Sequence, residues 1–150
     1  METITNYPSL FDGRVKTLQP QIFGGILNRR NNIKDQKEKK RHKIEDIDLV
    51  IVDLYPFEET IASGGNEEEI IEKIDIGGVA LIRAAAKNFK DVVVISSKNQ
   101  YQVFYKTLEQ GKEITLEKRK KFAGDAFETT SAYDNAIRAY FQNMSKTVFD

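Results

Sequence analysis

Three short blocks of the sequence combine charged side chains with glycines and aromatic residues at spacings that suit small-molecule chemistry. They are Asp12–Leu18, Val52–Phe57 and Ile74–Asn88. Together they supply two lysines, two arginines, carboxylates and a phenol, groups that can bind a phosphorylated heteroaromatic substrate and move protons on it. Because the cationic side chains stand near glycines in a mostly apolar setting, the blocks predict a pocket for an anionic small molecule.

The Asp75-Ile-Gly-Gly78 segment of the third block lies between two predicted helices, and the second helix opens directly after the glycines. Glycine lets the backbone approach a ligand closely, and a helix N-terminus presents free N–H groups. A ligand site and a simple helix cap by Asp75 are equally compatible with this pattern. The segment therefore predicts a binding turn and leaves the role of Asp75 open.

Arg83 and Lys87 are four residues apart and so share one face of the alanine-rich helix that follows. A solvated basic stripe is the simplest interpretation of that spacing. The alanines at 84–86 favour close packing, however, and we expect this packing to leave both cations less solvated.

Lys16 and Tyr55 carry a similar ambiguity. Lys16 follows Arg14 in a Gly-Arg-Val-Lys turn and could be an ordinary surface lysine. Tyr55 follows an apolar run, and the carboxyl end of a strand is where open α/β sheets bind ligands. Core aromatics also cap sheets at that position, so neither residue identifies a site alone.

The elements that must position these blocks alternate between strands and helices. Asp48–Tyr55 and Asp91–Ser96 are continuous apolar runs of the kind found in strands covered on both faces. Helices are predicted near residues 66–73, with Asn66 as the cap, and near 79–88, 99–109 and 116–142. The alternation predicts an α/β fold with a parallel sheet flanked by helices. Two strands are too few to cover these helices, so we expect a sheet that is incomplete at the N-terminus.

Size and composition exclude several classes of protein. The 150 residues suit one domain, and the formal net charge of zero gives no global field for nucleic acid or a membrane. The chain has no cysteine and one histidine, His42, which excludes disulfides, thiolate chemistry and a multi-histidine metal site. No apolar stretch approaches the roughly 18–20 residues of a membrane span. The N-terminus does not read as a signal peptide, and we expect a cytoplasmic protein.

A basic segment covers residues 29–45 of the 1–150 domain. Between Arg29 and Lys43 it holds eight lysines and arginines against two acids, with almost no apolar residue. This composition predicts a solvated basic loop or a frayed helix, inserted within the domain. Nucleic-acid modules interleave basic residues with aromatics, which this segment does not, so no nucleic-acid partner is predicted.

In combination, the motifs resemble a known family. Gly13–Leu18, Leu54–Phe57, Ile74–Gly78 and Arg83–Asn88 are similar, in order and spacing, to the IMP cyclohydrolase domain of the bifunctional purine biosynthesis enzymes, and Tyr133–Ile137 is similar to its closing helix. The resemblance implies a methylglyoxal-synthase-like (Rossmann-like) fold and a homodimer. It also implies that this chain lacks the family's N-terminal segment and its AICAR transformylase domain. Either could act as a complementary partner.

The activity implied by the resemblance is ring closure of the formamido-imidazole-carboxamide ribotide (formyl-AICAR) to inosine monophosphate, IMP, with loss of water and without cofactor or metal. The implied catalytic residues are Lys16, Tyr55, Asp75 and Lys87. Both lysines would stabilise and protonate the formyl oxygen, the aspartate would orient or deprotonate the amide, and the tyrosine would position the ring. The implied substrate-binding residues are Arg14, Thr17, Asp53, Ile76, Gly77, Gly78 and Arg83.

Two departures from the family pattern bear on activity. Asp53 stands where the family usually has asparagine, and its carboxylate would repel a developing oxyanion unless it is protonated or paired with a lysine. The family's phosphate-binding loops belong to a segment that precedes Met1. Three interpretations stay open: a ring-closing enzyme, a truncated inactive copy that needs a complementary segment, and a non-catalytic nucleotide-binding module. Methylglyoxal synthase activity is less favoured, because that enzyme's catalytic motifs find no match.

Overall fold

A computed structural model describes residues 2–5 and 7–149 of the chain, with side chains for residues 4, 5 and 7–144. In chain order its elements are α1 (Glu2–Thr5), α2 (Pro20–Leu27), α3 (Ile33–His42), β1 (Leu49–Ile51), α4 (Phe57–Ala62), α5 (Glu67–Ile71), α6 (Gly77–Lys87), β2 (Val93–Ile95), α7 (Tyr101–Glu109) and α8 (Leu116–Phe149). Short 3₁₀ turns lie at Phe11–Gly13 and Lys98–Gln100. The short helices α1 and α4 were not predicted from the sequence.

The two strands form a parallel sheet in which Leu49 lies opposite Val93 and Ile51 lies opposite Ile95. This confirms a mixed α/β fold with a parallel sheet among helices. Every residue of β2 is buried, as predicted. The same prediction is wrong for β1, where Leu49 and Ile51 are 40% and 47% exposed and only Val50 joins the core. Within the described residues, one side of the β1 pleat is therefore open to solvent.

Helix α6 is the central element of the fold, because it contacts α2, α8 and both strands. Its alanines at 84–86 are buried, and Ile82 is fully enclosed. Small side chains let neighbouring elements approach closely, and Phe122 and Ala126 of α8 complete the same core cluster. This packing fixes where both ends of α6 lie.

The basic segment contains a well-capped helix. The Asn32 side chain accepts hydrogen bonds from the backbone N–H groups of Lys34 and Asp35, which explains why α3 begins there. Most residues of α3 are exposed, but Arg30 just before it is folded into the protein. Its guanidinium donates to the backbone carbonyl of Ile47 at 3.1 Å, so this arginine is not part of a solvated loop.

Helix α8 runs for 34 residues and is the longest element. No helix within the described ranges combines the length and the apolar character needed to cross a bilayer.

Candidate active site

The first motif forms a tight loop. Leu10 and Val15 exchange two backbone hydrogen bonds of 3.0 and 3.2 Å, which close the loop at its base. Inside it Phe11, Asp12 and Gly13 have φ values of 53°, 52° and 96°, all in the left-handed region. Only the glycine adopts this conformation without steric cost, so the other two residues hold local strain. The loop carries the residues after Gly13 to the edge of a cleft.

The Asp75–Gly78 turn forms the opposite edge of that cleft. The Gly78 N–H donates to Asp75 Oδ1 at 2.6 Å, so Asp75 caps α6, as one of the two sequence interpretations predicts. A Cβ atom on Gly78 would lie 2.4 Å from Asp75 Oδ2, and one on Gly77 would lie 2.8 Å from Thr17 Oγ1. A side chain at either glycine would therefore displace a neighbouring side chain, and the close approach of Gly77 to Thr17 joins the two motifs.

Between these edges lies an open cleft of about 770 Å³. It falls within the roughly 300–1,000 Å³ typical of small-molecule sites. Its lining residues are Asp12, Gly13, Arg14, Lys16, Thr17, Tyr55, Ile71, Glu72, Lys73, Ile74, Asp75, Ile76, Gly77, Gly78 and Leu81. The structure thus brings together all the predicted site residues except Asp53, Arg83 and Lys87.

The charges that line the cleft are balanced, unlike the cationic pocket that the motifs predict. Arg14 forms an ion pair with Glu72 at the rim, with both side chains largely exposed. The hydrogen bond from Arg14 lowers the pKa of Glu72, and the same bond raises the pKa of Arg14. The cations of the lining are Arg14, Lys16 and Lys73, and its carboxylates are Asp12, Glu72 and Asp75. The charge of Arg14 is thus balanced by Glu72 within the cleft itself.

Lys73 is a cleft residue that sequence reasoning missed. Its ammonium nitrogen lies 5.8 Å from the centroid of the Tyr55 ring, a cation–π contact. Tyr55 is itself 56% exposed and presents its other surfaces to the cleft and solvent. The sequence offered one indication that Lys73 lies at the site, because this residue directly precedes the Ile74–Gly78 motif.

Tyr133 of α8 contacts the backbone of the turn that contains Asp75. Its hydroxyl accepts a hydrogen bond from the Asp75 N–H at 3.0 Å and donates to the Lys73 carbonyl. The ring packs edge-on against Phe57 with 6.1 Å between centroids. Burial is the main cause that raises the pKa of Tyr133, so its hydroxyl keeps its proton at neutral pH. The sequence matched this residue to a family helix but gave no indication of these contacts.

Asp53 does not line the cleft. Its carboxylate accepts a hydrogen bond of 2.7 Å from the Tyr101 hydroxyl at the start of α7, and this bond raises the pKa of Tyr101. The carboxylate is thus bound by a phenol, whereas the sequence predicted that it would be either protonated or paired with a lysine.

Arg83 and Lys87 lie apart from the cleft, and both are exposed. The expectation of reduced solvation is wrong, because the alanines at 84–86 face the core and the two cations lie on the other side of the helix. The Arg83 guanidinium lies 5.4 Å from the centroid of the Phe127 ring in α8. Lys87 is ten residues beyond Gly77, which at about 1.5 Å per residue places it roughly 15 Å along the axis.

Other candidate sites are few within the described part of the chain. A second cleft of about 520 Å³ lies between α7 and α8, and its lining includes Gln100, Val103 and Phe122. None of the predicted site residues borders it. No group of three or more histidine, aspartate or glutamate side chains among the described residues could hold a metal ion.

Known proteins resemble the chain along nearly its whole length. The profile of the MGS-like domain family matches residues 2–80, and that of the AICARFT/IMPCHase bienzyme matches residues 85–150. The bifunctional purine biosynthesis protein PurH of Bacteroides thetaiotaomicron is 54% identical over 150 residues, covering 99% of this chain and 30% of that protein. The PurH protein of Synechocystis sp. is 49% identical over 142 residues, covering 94% of this chain and 28% of that protein.

A solved structure described as the crystal structure of ForH is also similar. It matches with a TM-score of 0.75 and 34% sequence identity, covering 93% of this chain and 74% of that chain. These matches confirm the resemblance drawn from the motifs. The chain spans about 30% of the length of the curated relatives that it matches.

Proposed function

The chain belongs to the MGS-like domain family, and from that premise we propose that it acts in purine nucleotide biosynthesis as an IMP cyclohydrolase. The observation that carries the proposal is that Lys16, Tyr55 and Asp75 line one cleft of about 770 Å³. The identity of 54% to a purine biosynthesis protein across this whole region supports it further.

The proposed reaction needs proton transfer and charge stabilisation. The carboxamide nitrogen of formyl-AICAR attacks the formyl carbon, forming a carbon–nitrogen bond while the formyl oxygen gains negative charge. That oxygen then takes up two protons and leaves as water, while the carboxamide nitrogen and the formamido nitrogen each lose one proton, which gives IMP. A cation near the oxygen and a carboxylate near the nitrogen both lower the barrier.

The cleft residues suit these two roles. Lys16 is proposed to stabilise and protonate the formyl oxygen, and Asp75 to accept a hydrogen bond from the carboxamide nitrogen. Tyr55, with its ring held by the Lys73 ammonium, is proposed to position the imidazole ring. Thr17 and the backbone at Gly77 and Gly78 are proposed to line the ribotide, since the absence of Cβ atoms there leaves the backbone accessible.

Lys87 and Arg83 enter the proposal on the family resemblance alone, because both lie outside the cleft. Asp53 enters it on the same ground, although its carboxylate is held by Tyr101. A substitution at each of these positions tests whether the resemblance or the cleft better identifies the site.

The test is IMP formation by the purified chain from formyl-AICAR, with Lys16→Ala compared against Lys37→Ala. Lys37 is an exposed lysine of α3 that matches Lys16 in charge but lies outside the cleft. Loss of one stabilising cation near an oxyanion should lower kcat by about 100-fold. We expect that loss in Lys16→Ala and none in Lys37→Ala. Equal turnover in the two variants would contradict the proposed role of Lys16.

A second candidate function is nucleotide binding without turnover. It is favoured by the position of Lys87, an implied catalytic residue that does not line the cleft, whereas the residues implied to line the nucleotide, Thr17, Gly77 and Gly78, do. Calorimetric binding of IMP by a chain that forms none from formyl-AICAR would support this function over the first.

We further propose, from the family resemblance, a cytoplasmic homodimer that uses no cofactor. Sedimentation velocity of the purified chain, with and without IMP, tests the oligomeric state. A single monomeric species at micromolar concentration would contradict the dimer.

A further inference from the structure

A single hydroxyl group anchors the turn that shapes the cleft. Tyr133 Oη accepts from the Asp75 N–H and donates to the Lys73 carbonyl, so it contacts the residues on both sides of Ile74. Tyr133 lies 58 residues from Asp75, on a helix that does not border the cleft. The hydroxyl makes both of its hydrogen bonds with the turn, so its effect on a ligand passes through the turn.

The two anchored residues hold the groups that face the cleft. The Asp75 carboxylate receives the Gly78 N–H, and the Lys73 ammonium lies over the Tyr55 ring. A shift of the turn would move a carboxylate and a cation together relative to a ligand bound between them. Small displacements of positioned groups reduce rates strongly, because catalysis depends on orientation.

The surroundings of Tyr133 let its ring and its hydroxyl be separated experimentally. The ring stacks edge-on against the buried Phe57, which a phenylalanine at 133 would also do. The hydroxyl makes only the two contacts with the turn among the described hydrogen bonds. Tyr133→Phe thus removes the anchor and keeps the packing.

We propose that Tyr133 is a positioning residue of this cleft, whose hydroxyl fixes the Lys73–Asp75 turn and with it the Asp75 carboxylate. In its catalytic consequence, this inference rests on the proposed cyclohydrolase function. Its structural part, the anchoring of the turn, can be measured without turnover.

The experiment compares Tyr133→Phe with Tyr140→Phe in the full chain. Tyr140 lies two turns further along the same face of α8 and packs edge-on against the same Phe57, with 5.8 Å between centroids. It makes no hydrogen bond with the Lys73–Asp75 turn, so it controls for loss of a phenol hydroxyl at this face. The measurements are amide hydrogen exchange by NMR, and kcat and KM for IMP formation.

We expect Tyr133→Phe to raise the exchange rates of the Asp75 and Gly78 amides by about tenfold, because the loss of one hydrogen bond changes an opening equilibrium by about that factor. It should also lower kcat by about tenfold while KM changes by less than about twofold. In an Asp75→Asn background the same substitution should lower kcat by less than about tenfold, because the carboxylate is already removed and only the Lys73 side of the turn is left to shift. Tyr140→Phe should leave exchange and kinetics unchanged.

Unchanged exchange at Asp75 and Gly78 in Tyr133→Phe would overturn the proposal, whether or not the chain is active. A full additional loss of kcat in the Asp75→Asn background would also overturn it, because the hydroxyl would then act independently of Asp75. If exchange at these amides is faster but the chain has no turnover, the anchoring role of Tyr133 is supported and only the proposed ring-closing activity is contradicted.

Discussion

The two ends of helix α6 are built differently. At the N-terminal end Asp75 caps the helix, and its backbone is held by Tyr133. A Cβ atom on either glycine there would displace the side chain of Thr17 or Asp75. At the C-terminal end Lys87 is exposed, while the buried Asn88 donates to the Ile26 carbonyl at 2.8 Å and ties the helix to α2. One end is organised around a cleft and the other around the core.

This difference shows that the residues of one continuous sequence motif can serve separate parts of the structure. Residues 74–88 form one continuous motif in the sequence, yet the helix within it separates Gly77 from Lys87 by roughly 15 Å. Of the residues of α6, only Gly77, Gly78 and Leu81, near its N-terminus, line the cleft. The two ends of α6 are therefore expected to differ in function as they do in construction.

The largest effect is expected from Gly78→Ala. The new Cβ would lie 2.4 Å from Asp75 Oδ2, so the carboxylate must leave its cap position. We expect about 1–3 kcal/mol lower stability from the forced shift, and about 100-fold lower IMP formation from the displaced carboxylate. Urea unfolding and the turnover assay measure the two effects.

Gly124→Ala is the matched control for that substitution. It lies on the exposed side of α8, where a Cβ would meet nothing within 4 Å. Alanine should stabilise the helix there by roughly 0.5–1 kcal/mol and leave turnover unchanged. Equal stability and turnover of Gly78→Ala and Gly124→Ala would contradict the steric account of the turn.

A smaller effect is expected from Gly77→Ala. Its Cβ would lie 2.8 Å from Thr17 Oγ1, and a side-chain hydroxyl yields more easily than a capping carboxylate. We expect a loss of about 1 kcal/mol in the free energy of unfolding. In a Thr17→Ala background the loss should disappear, because the clashing oxygen is gone. Additive effects in this double-mutant cycle would show that the two motifs do not meet.

Arg83→Ala tests a cation of α6 that lies beyond the cleft, between the two ends of the helix. Loss of the contact with Phe127 should lower stability by about 0.5–1 kcal/mol, as expected for a partly exposed cation–π pair. IMP affinity, measured by calorimetry, should stay unchanged because Arg83 does not line the cleft. A tenfold weaker affinity would instead place the ligand near the middle of α6 and support the family-based assignment.

The smallest effect concerns the rim ion pair and pH. Arg14 lowers the pKa of Glu72 below its ordinary value of 4.5. A carboxyl with a depressed pKa contributes stability above about pH 4.5, and this contribution is lost as pH falls through the folded-state pKa. Thermal unfolding of wild type and Arg14→Gln should therefore differ at pH 7, and the difference should shrink as the pH is lowered through the folded-state pKa of Glu72. A difference that does not shrink on acidification would contradict this origin.

Local features of the fold could be predicted from the sequence. The apolar run that ends at Ser96 correctly predicted the buried strand β2. Asn66 was correctly predicted as a cap, because its side chain and Glu69 form a reciprocal capping box. These features depend on neighbours within a few residues. The exposure of β1 could not be predicted, because an apolar run does not state which of its faces another element covers.

The candidate site was predictable in part for the same reason. The types and spacing of the glycines and Lys16 are enough to predict a turn with a cation beside it. The contacts of Tyr133 with the turn join residues about 60 apart, and the bond between Tyr101 and Asp53 joins residues 48 apart. Packing of the whole chain sets such contacts, and no local pattern encodes them.

The most direct test of the cleft as the ligand site is an NMR titration of the isotopically labelled chain with IMP. The account predicts that the largest amide shifts occur at Gly13, Lys16, Gly77 and Gly78, with little change at Lys87. Largest shifts at Lys87, or in the second cleft near Gln100, would contradict it.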